Sequence, residues 1–277
     1  MTELQLSEQI EQLLVERNLR GMQTVRHALI PGYMMRAANM IRQHIGTVLI
    51  GTGFPVNNTF ETDGPVGAIA LYKAIETLGG KPILACCDPL AKAIKEDFNV
   101  YRLDQGELTV APNEAKRALE QLNPSLLISI EHPGLTVNND YRNMRGEDIS
   151  SRCSGFDFFL RLADCPTIGI GDGGNEAGMG NIQGVLENLD ITASVVCCDE
   201  LVIADVSNWA AHGLLACLCY LEQKDLLKIW DNRQVLKYLS DRGSVDGITR
   251  ENTLTEDGFD SDISENVIQE LKKIVGL

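Results

Sequence analysis

The chain has 277 residues, 44% of them hydrophobic, and a formal net charge of −15. That length and apolar content suit one large or two small globular domains with a substantial core. The acidic balance excludes a nucleic-acid or anionic-membrane surface, because phosphate binding needs an excess of Lys and Arg.

Read in chain order, residues 1–8 are acidic and lack the basic-then-apolar pattern of a signal or transit peptide. No apolar run approaches membrane-spanning length, so a cytoplasmic protein is expected. Leu6, Ile10, Leu13 and Leu14 recur at helical spacing and predict a helix over 4–18, followed by another over 32–43. Strand and helix then alternate. Strands are expected over 47–50, 82–85, 125–130, 166–170 and 193–196. Helices are expected over 65–78, 89–98, 113–122, 156–163, 182–189 and 207–221. The acidic stretch 251–265 reads as a solvated loop before a last helix over 266–275. This alternation predicts an α/β fold with a Rossmann-like, mostly parallel sheet covered by helices on both faces. A single domain accounts for it: a helical extension (1–45), an α/β core (46–222) and a C-terminal helical segment (223–277). The eight cysteines contain no Cys-x-x-Cys, which argues for reduced core thiols rather than a zinc site.

The unusual residues gather in loops after strands, where open α/β sheets place their ligands. After residue 50 come Thr52 and Gly53, then Glu61-Thr-Asp-Gly-Pro65. Pro65 suits the first turn of a helix, so Asp63 or Gly64 stands near its cap. The exposed N–H groups there could hold a carboxylate or phosphate. Glu61 is open to three readings: base, metal ligand or surface charge. After residue 130 come Glu131 and His132; a glutamate ending a buried strand must find a partner or ionise in a cleft. Arg142 and Arg145 follow in a polar loop, as clamps for a carboxylate or as partners of the many acids. The richest segment is 169–181, a run of glycines around Asp172, Asn175, Glu176 and Asn181. Its hard oxygens suit Mg²⁺ or Mn²⁺. Asp172 and Glu176 stand four apart, so a helical turn would put them on one face. Gly169-x-Gly171-x-x-Gly174 also fits the dinucleotide fingerprint, with Asp199 expected at the end of the next strand. Two carboxylates beside a pyrophosphate would repel it, and a metal site removes that conflict. In 204–210, Asp205 or Ser207 can cap the next helix, and Asn208 either lies in its first turn or faces the ligand.

Taken together, Gly51-Thr-Gly-Phe-Pro-Val56, Glu61-Thr-Asp-Gly-Pro-Val-Gly-Ala68, Ile130-Glu-His-Pro-Gly134, Tyr141-Arg-Asn-Met-Arg-Gly146, residues 169–181 and Val206-Ser-Asn-Trp209 resemble the C-terminal domain of the D-glutamate cyclase family. His132 departs from the resemblance, since arginine is expected there; if that arginine held substrate, the pocket would carry less positive charge. Beside the larger animal members, the chain would be a stand-alone catalytic domain. The resemblance implies cyclisation of D-glutamate to 5-oxo-D-proline with loss of water, and a divalent metal, manganese before magnesium. On that reading Asp172, Glu176, Asn175 and Glu131 would hold the metal. Glu61, Asp63 and Glu131 would move protons, and Thr52, Gly53, Gly64, Arg145 and Asn208 would hold the substrate. The competing readings are a metal-dependent phosphohydrolase and a dinucleotide- or metabolite-binding protein without turnover. The expected partner is a small anionic metabolite, with neither nucleic acid nor membrane, and apolar helices near both ends leave room for a homo-oligomer.

Overall fold

The computed structural model describes residues 1–277. Six parallel strands form the central sheet: β1 (Thr47–Thr52), β2 (Lys81–Cys86), β3 (Val100–Arg102), β4 (Leu126–Ile130), β5 (Thr167–Gly171) and β6 (Glu200–Ile203). Their spatial order is β3-β2-β1-β4-β5-β6. The order reverses between β1 and β4, and that switch point opens a crevice at the carboxyl ends of the strands. Alternate residues serve two cores. Val48, Ile50, Leu126 and Ile128 face the larger one, whereas Leu49 and Leu127 face the smaller. Gly51 is required by space: a Cβ there would lie 2.0 Å from the Phe156 ring.

On the larger face lie α1 (Glu3–Leu14), α2 (Tyr33–Gln43), α3 (Pro65–Thr77), α7 (Ser207–Glu222), α8 (Asn232–Ser240) and α9 (Ser261–Val275). The short α4 (Leu90–Ile94) also packs into that core. On the other face lie α5 (Ala111–Leu122) and α6 (Asp157–Leu162). Every residue of α7 from Ser207 to Cys219 is buried, so it reads as hydrophobic all round and acts as the hub of its layer. The N-terminal extension is fastened by buried polar groups. Glu11 on α1 accepts from Gly32 N (2.9 Å) and Met34 N (3.3 Å), giving α2 the cap that Gly32 has no side chain to supply. Asp205 accepts from Arg17 N (2.8 Å) and Asn18 N (3.0 Å), pinning the turn after α1.

Several expectations are corrected. Residues 193–196 form no ladder; the sixth strand is Glu200–Ile203. Val196 crosses the glycine loop instead, its carbonyl accepting from Gly178 N and Gly180 N. Asp199 therefore precedes its strand and accepts from Thr167 N and Oγ1, both at 2.8 Å. Residues 172–176 are an irregular loop, not a helical turn. The first helix ends at Leu14. The acidic stretch is solvated only in part: Glu251, Asp260 and Asp262 are exposed, but Glu256 and Asp257 are buried in a hairpin, and the last helix starts at Ser261, capped by Asp260. All eight cysteines are free, and Cys197 is exposed rather than in a core.

Candidate active site

Three strand ends deliver carboxylates to one point. Asp63 follows β1 through a short hairpin, Glu131 follows β4 and Asp172 follows β5. All three are buried, and their ligand oxygens lie within 4.8 Å of one another. Glu131 reaches that position with a left-handed φ of 42°, an uncommon conformation for a residue with a side chain. Gly64 leaves room for it, since a Cβ there would sit 2.7 Å from Glu131 Cβ.

The N-terminus of α7 holds the cluster. Ser207 N donates to Asp63 Oδ2 (2.9 Å) and to Asp172 Oδ2 (3.1 Å), and Ser207 Oγ donates to Glu131 Oε2 (2.6 Å). Asn208 N donates to Asp63 Oδ1 at 2.7 Å, and Gly64 N at 3.0 Å. Asn208 returns the service to α3: its Oδ1 accepts from Gly64 N (2.9 Å) and Gly67 N (2.7 Å). Its Nδ2 donates to Thr62 O (3.2 Å) and Glu256 Oε1 (2.8 Å). Two helix N-termini are thus capped by residues of each other's approach, with the positive ends of both dipoles at the acids.

Burial pushes the Asp63 carboxyl up to about 7, with the nearby Asp257 charge adding to it. Burial also raises Glu131, helped by Glu176 and Asp63, and it raises Asp172 although Arg20 opposes the shift. Such a group of acids keeps its charge only beside a cation; otherwise it takes up protons. The donors are all oxygens, which suit a hard divalent ion. Thr52 Oγ1, Glu61 Oε1 and Asn175 Oδ1 are also buried without partners. The residues therefore fit a divalent metal.

Around this floor is a cleft of about 690 Å³, part of it open to solvent. Arg20 Nη2 lies 2.7 Å from Asp172 Oδ2 and also binds the Asp257 carboxylate. The segment 245–250 closes one side: Thr62 N donates to Val245 O, and Asp246 accepts from Ile248 N, Thr249 N and Gly258 N. Arg145, Arg152 and Arg250 line the outer part, which gives an acidic protein a basic rim.

Of the residues expected to act, Glu61, Glu131, Asp172, Asn175 and Arg145 line this cleft, and Asp63 lies beneath it. Glu176 is not one of the three grouped carboxylates, although its charge acts on Glu131. Its oxygens accept from Asp172 N (3.2 Å), Gly173 N (2.8 Å) and Gly174 N (2.7 Å), so it shapes the loop. It also fills the nest of N–H groups that a pyrophosphate would need, which removes the support for a dinucleotide there. Asn208 is fully buried and braces two helices rather than facing the cleft. The N–H groups offered to a phosphate near Gly64 are likewise taken by Asp63 and Asn208. Thr52 is buried, and Gly53 borders a neighbouring hollow beside Cys87. Arg142 is engaged by Asp140. His132 does not enter the cleft; its Nε2 lies 2.9 Å from Ser154 Oγ, and burial pushes it down to about 4. Sequence reading missed Arg20, Asp257 and Gly247. The Asp257-Gly258 pair is a hairpin-turn signal that was available; nothing local marks Arg20.

The family model for the D-glutamate cyclase-like C-terminal region matches residues 10–272. A human protein, D-glutamate cyclase, mitochondrial, is 31% identical over 229 residues, which is 73% of this chain. The chain spans 37% of that relative's length. No helix is long and apolar enough to cross a membrane. With a match that runs almost end to end over the glycine loop and all three acidic strand ends, the chain belongs to the D-glutamate cyclase-like, C-terminal family.

Proposed function

We propose that this chain cyclises D-glutamate to 5-oxo-D-proline with release of water, using a divalent cation, Mn²⁺ in preference to Mg²⁺, held by Asp63, Glu131 and Asp172. The observation that carries the reading is the trio of buried carboxylates within 4.8 Å at the floor of an arginine-rimmed cleft. A family relative's name points the same way.

The reaction forms a bond between the α-nitrogen and the γ-carboxylate carbon, and breaks one C–O bond of that carboxylate. The ammonium nitrogen gives up two protons, and the departing oxygen leaves with both as water. A bound divalent cation supplies charge to polarise a carboxylate and offset the negative charge that develops on it. The protein's residues do the rest. Asp63 accepts three N–H bonds and is poorly placed to take a proton as well. Glu61 is buried nearby with Oε1 unpartnered, so it is the acceptor of the nitrogen's proton. Arg145, Arg152 and Arg250 hold the α-carboxylate at the rim. Fixing both ends of a flexible substrate brings nitrogen to carbon, which is positional catalysis. Ser207, donating to Glu131 and to both aspartates, keeps the floor rigid.

The test is purified protein with D- and with L-glutamate, metal-depleted and with Mn²⁺ restored, assayed for 5-oxoproline. Metal-dependent product from D-glutamate is expected; its absence removes the assignment.

A further inference from the structure

We propose that Glu61 and Asp257, brought to one side of the cleft by the loop of Gly247, form a subsite for the substrate's ammonium group, distinct from the three-carboxylate cluster. The proposal rests on the reading above that the ligand is an amino acid.

Glu61 carries the argument. It is 6% exposed, it lines the cleft, and its Oε1 is buried with no donor. The neighbouring carboxylates are all served. Asp63 has three N–H donors, Glu131 has Ser207, Asp172 has Ser207 and Arg20, and Asp257 has Arg20. A buried carboxylate oxygen without a donor is costly, so a ligand that brings an N–H recovers what the folded chain leaves unsatisfied. Asp257 stands at the turn of the C-terminal hairpin with a left-handed φ of 51°. Arg20 Nη2 fixes its carboxylate.

Gly247 joins the two. A Cβ on it would lie 2.1 Å from Glu61 Oε2 and 3.4 Å from Asp257 Oδ1. Its φ is not in the left-handed region, so it is the close approach of the Glu61 carboxylate and not the conformation that calls for glycine. The loop holding it is tied to both carboxylates' elements: Thr62 N donates to Val245 O, and Gly258 N donates to Asp246 Oδ2 (2.7 Å). A primary ammonium has three donors and suits oxygens that converge from two sides. Charge supports the same assignment. Arg20 is shared by Asp257 and Asp172, and neither it nor any other cation of the chain forms an ion pair with Glu61. A dicarboxylate without an amine would leave Glu61 unpartnered and facing like charge.

The experiment is equilibrium binding by calorimetry, to metal-depleted protein so that D-glutamate is not consumed, of D-glutamate and of glutarate, which lacks only the amine; Mn²⁺ is then restored and the mixture assayed for 5-oxoproline. Wild-type protein should bind D-glutamate about tenfold or more tightly than glutarate, the scale of a charged hydrogen-bonded contact. In Glu61→Gln and Asp257→Asn that preference should shrink to about threefold or less, with glutarate binding unchanged or tighter. Gly247→Ala should weaken D-glutamate by about tenfold. Equal binding of the two ligands to wild type would overturn the subsite even if every variant fails to fold. Parallel weakening of both ligands in Glu61→Gln would also overturn it. A preference for D-glutamate without any 5-oxoproline would keep the subsite and remove the assigned reaction.

Discussion

Replacing Asn208 with alanine tests the junction on which the site is built. The side chain is fully buried and makes four hydrogen bonds. Alanine leaves Gly67 N, in the first turn of α3, without an acceptor, and leaves Gly64 N, at the cap, with Asp63 Oδ1 alone. Pro65 has no N–H to share the load, and Val66 N reaches Thr62 O only at 3.5 Å. Each orphaned buried donor costs about 1–3 kcal/mol, and Thr62 O is left with the long Val66 N contact alone. Glu256 suffers less, because Asn232 and Ser264 still bind it. The expected loss is about 2–4 kcal/mol, one fully orphaned donor plus three weakened partners. Asn208→Asp should not rescue: it keeps the acceptor, loses both donors, and adds a charge beside Asp63 and Glu256. Urea unfolding followed by circular dichroism measures the loss. A deficit under about 1 kcal/mol for Asn208→Ala would refute the account of two mutually capped helices.

Asp172→Asn should lower Mn²⁺ affinity at least tenfold, whereas Glu176→Gln should leave one bound metal and cost about 1–3 kcal/mol of stability; calorimetry with unfolding curves separates the two. His212 lies fully buried in α7, and burial pushes it down to about 3. The unfolded chain takes up that proton near pH 6.5 and the folded chain does not, so stability falls as pH drops through 6.5 toward 3. Between pH 6.5 and pH 5 this group contributes a loss of about 2 kcal/mol, which His212→Gln should remove; an unchanged slope in urea midpoints would contradict it. Gly51→Ala should cost about 3 kcal/mol or more, because its Cβ would meet the Phe156 ring at 2.0 Å; a stability near wild type would show that the ring can move aside.

The fold and the strand-end acids of the floor were legible because they obey local rules. Buried strands such as Leu126–Ile130 are continuous apolar runs, and acids at their ends stand out against that background. That logic reached Glu131 and Asp172 directly and Asp63 by way of its turn. It failed at 193–196, where Ala-Ser-Val-Val looks as strand-like as Glu-Leu-Val-Ile; only the ladder with Thr167–Gly171 decides between them. It also misjudged Glu176. Spacing cannot tell a carboxylate that binds a ligand from one that collects its own loop's amides. Asn208 was read as a first-turn residue or a ligand contact; it lies in that turn, and its side chain caps α3. Arg20 and Asp257 are 237 residues apart and meet only through the tertiary fold. The acidity of 251–265 suggested solvent, yet Glu256 is buried because Asn208, Asn232 and Ser264 all donate to it.

The most direct measurement is anomalous diffraction at the manganese edge from crystals grown with Mn²⁺. A single strong peak among the carboxylates of Asp63, Glu131 and Asp172 is the expected result. A peak elsewhere, or none with those three carboxylates unmoved, would contradict the account.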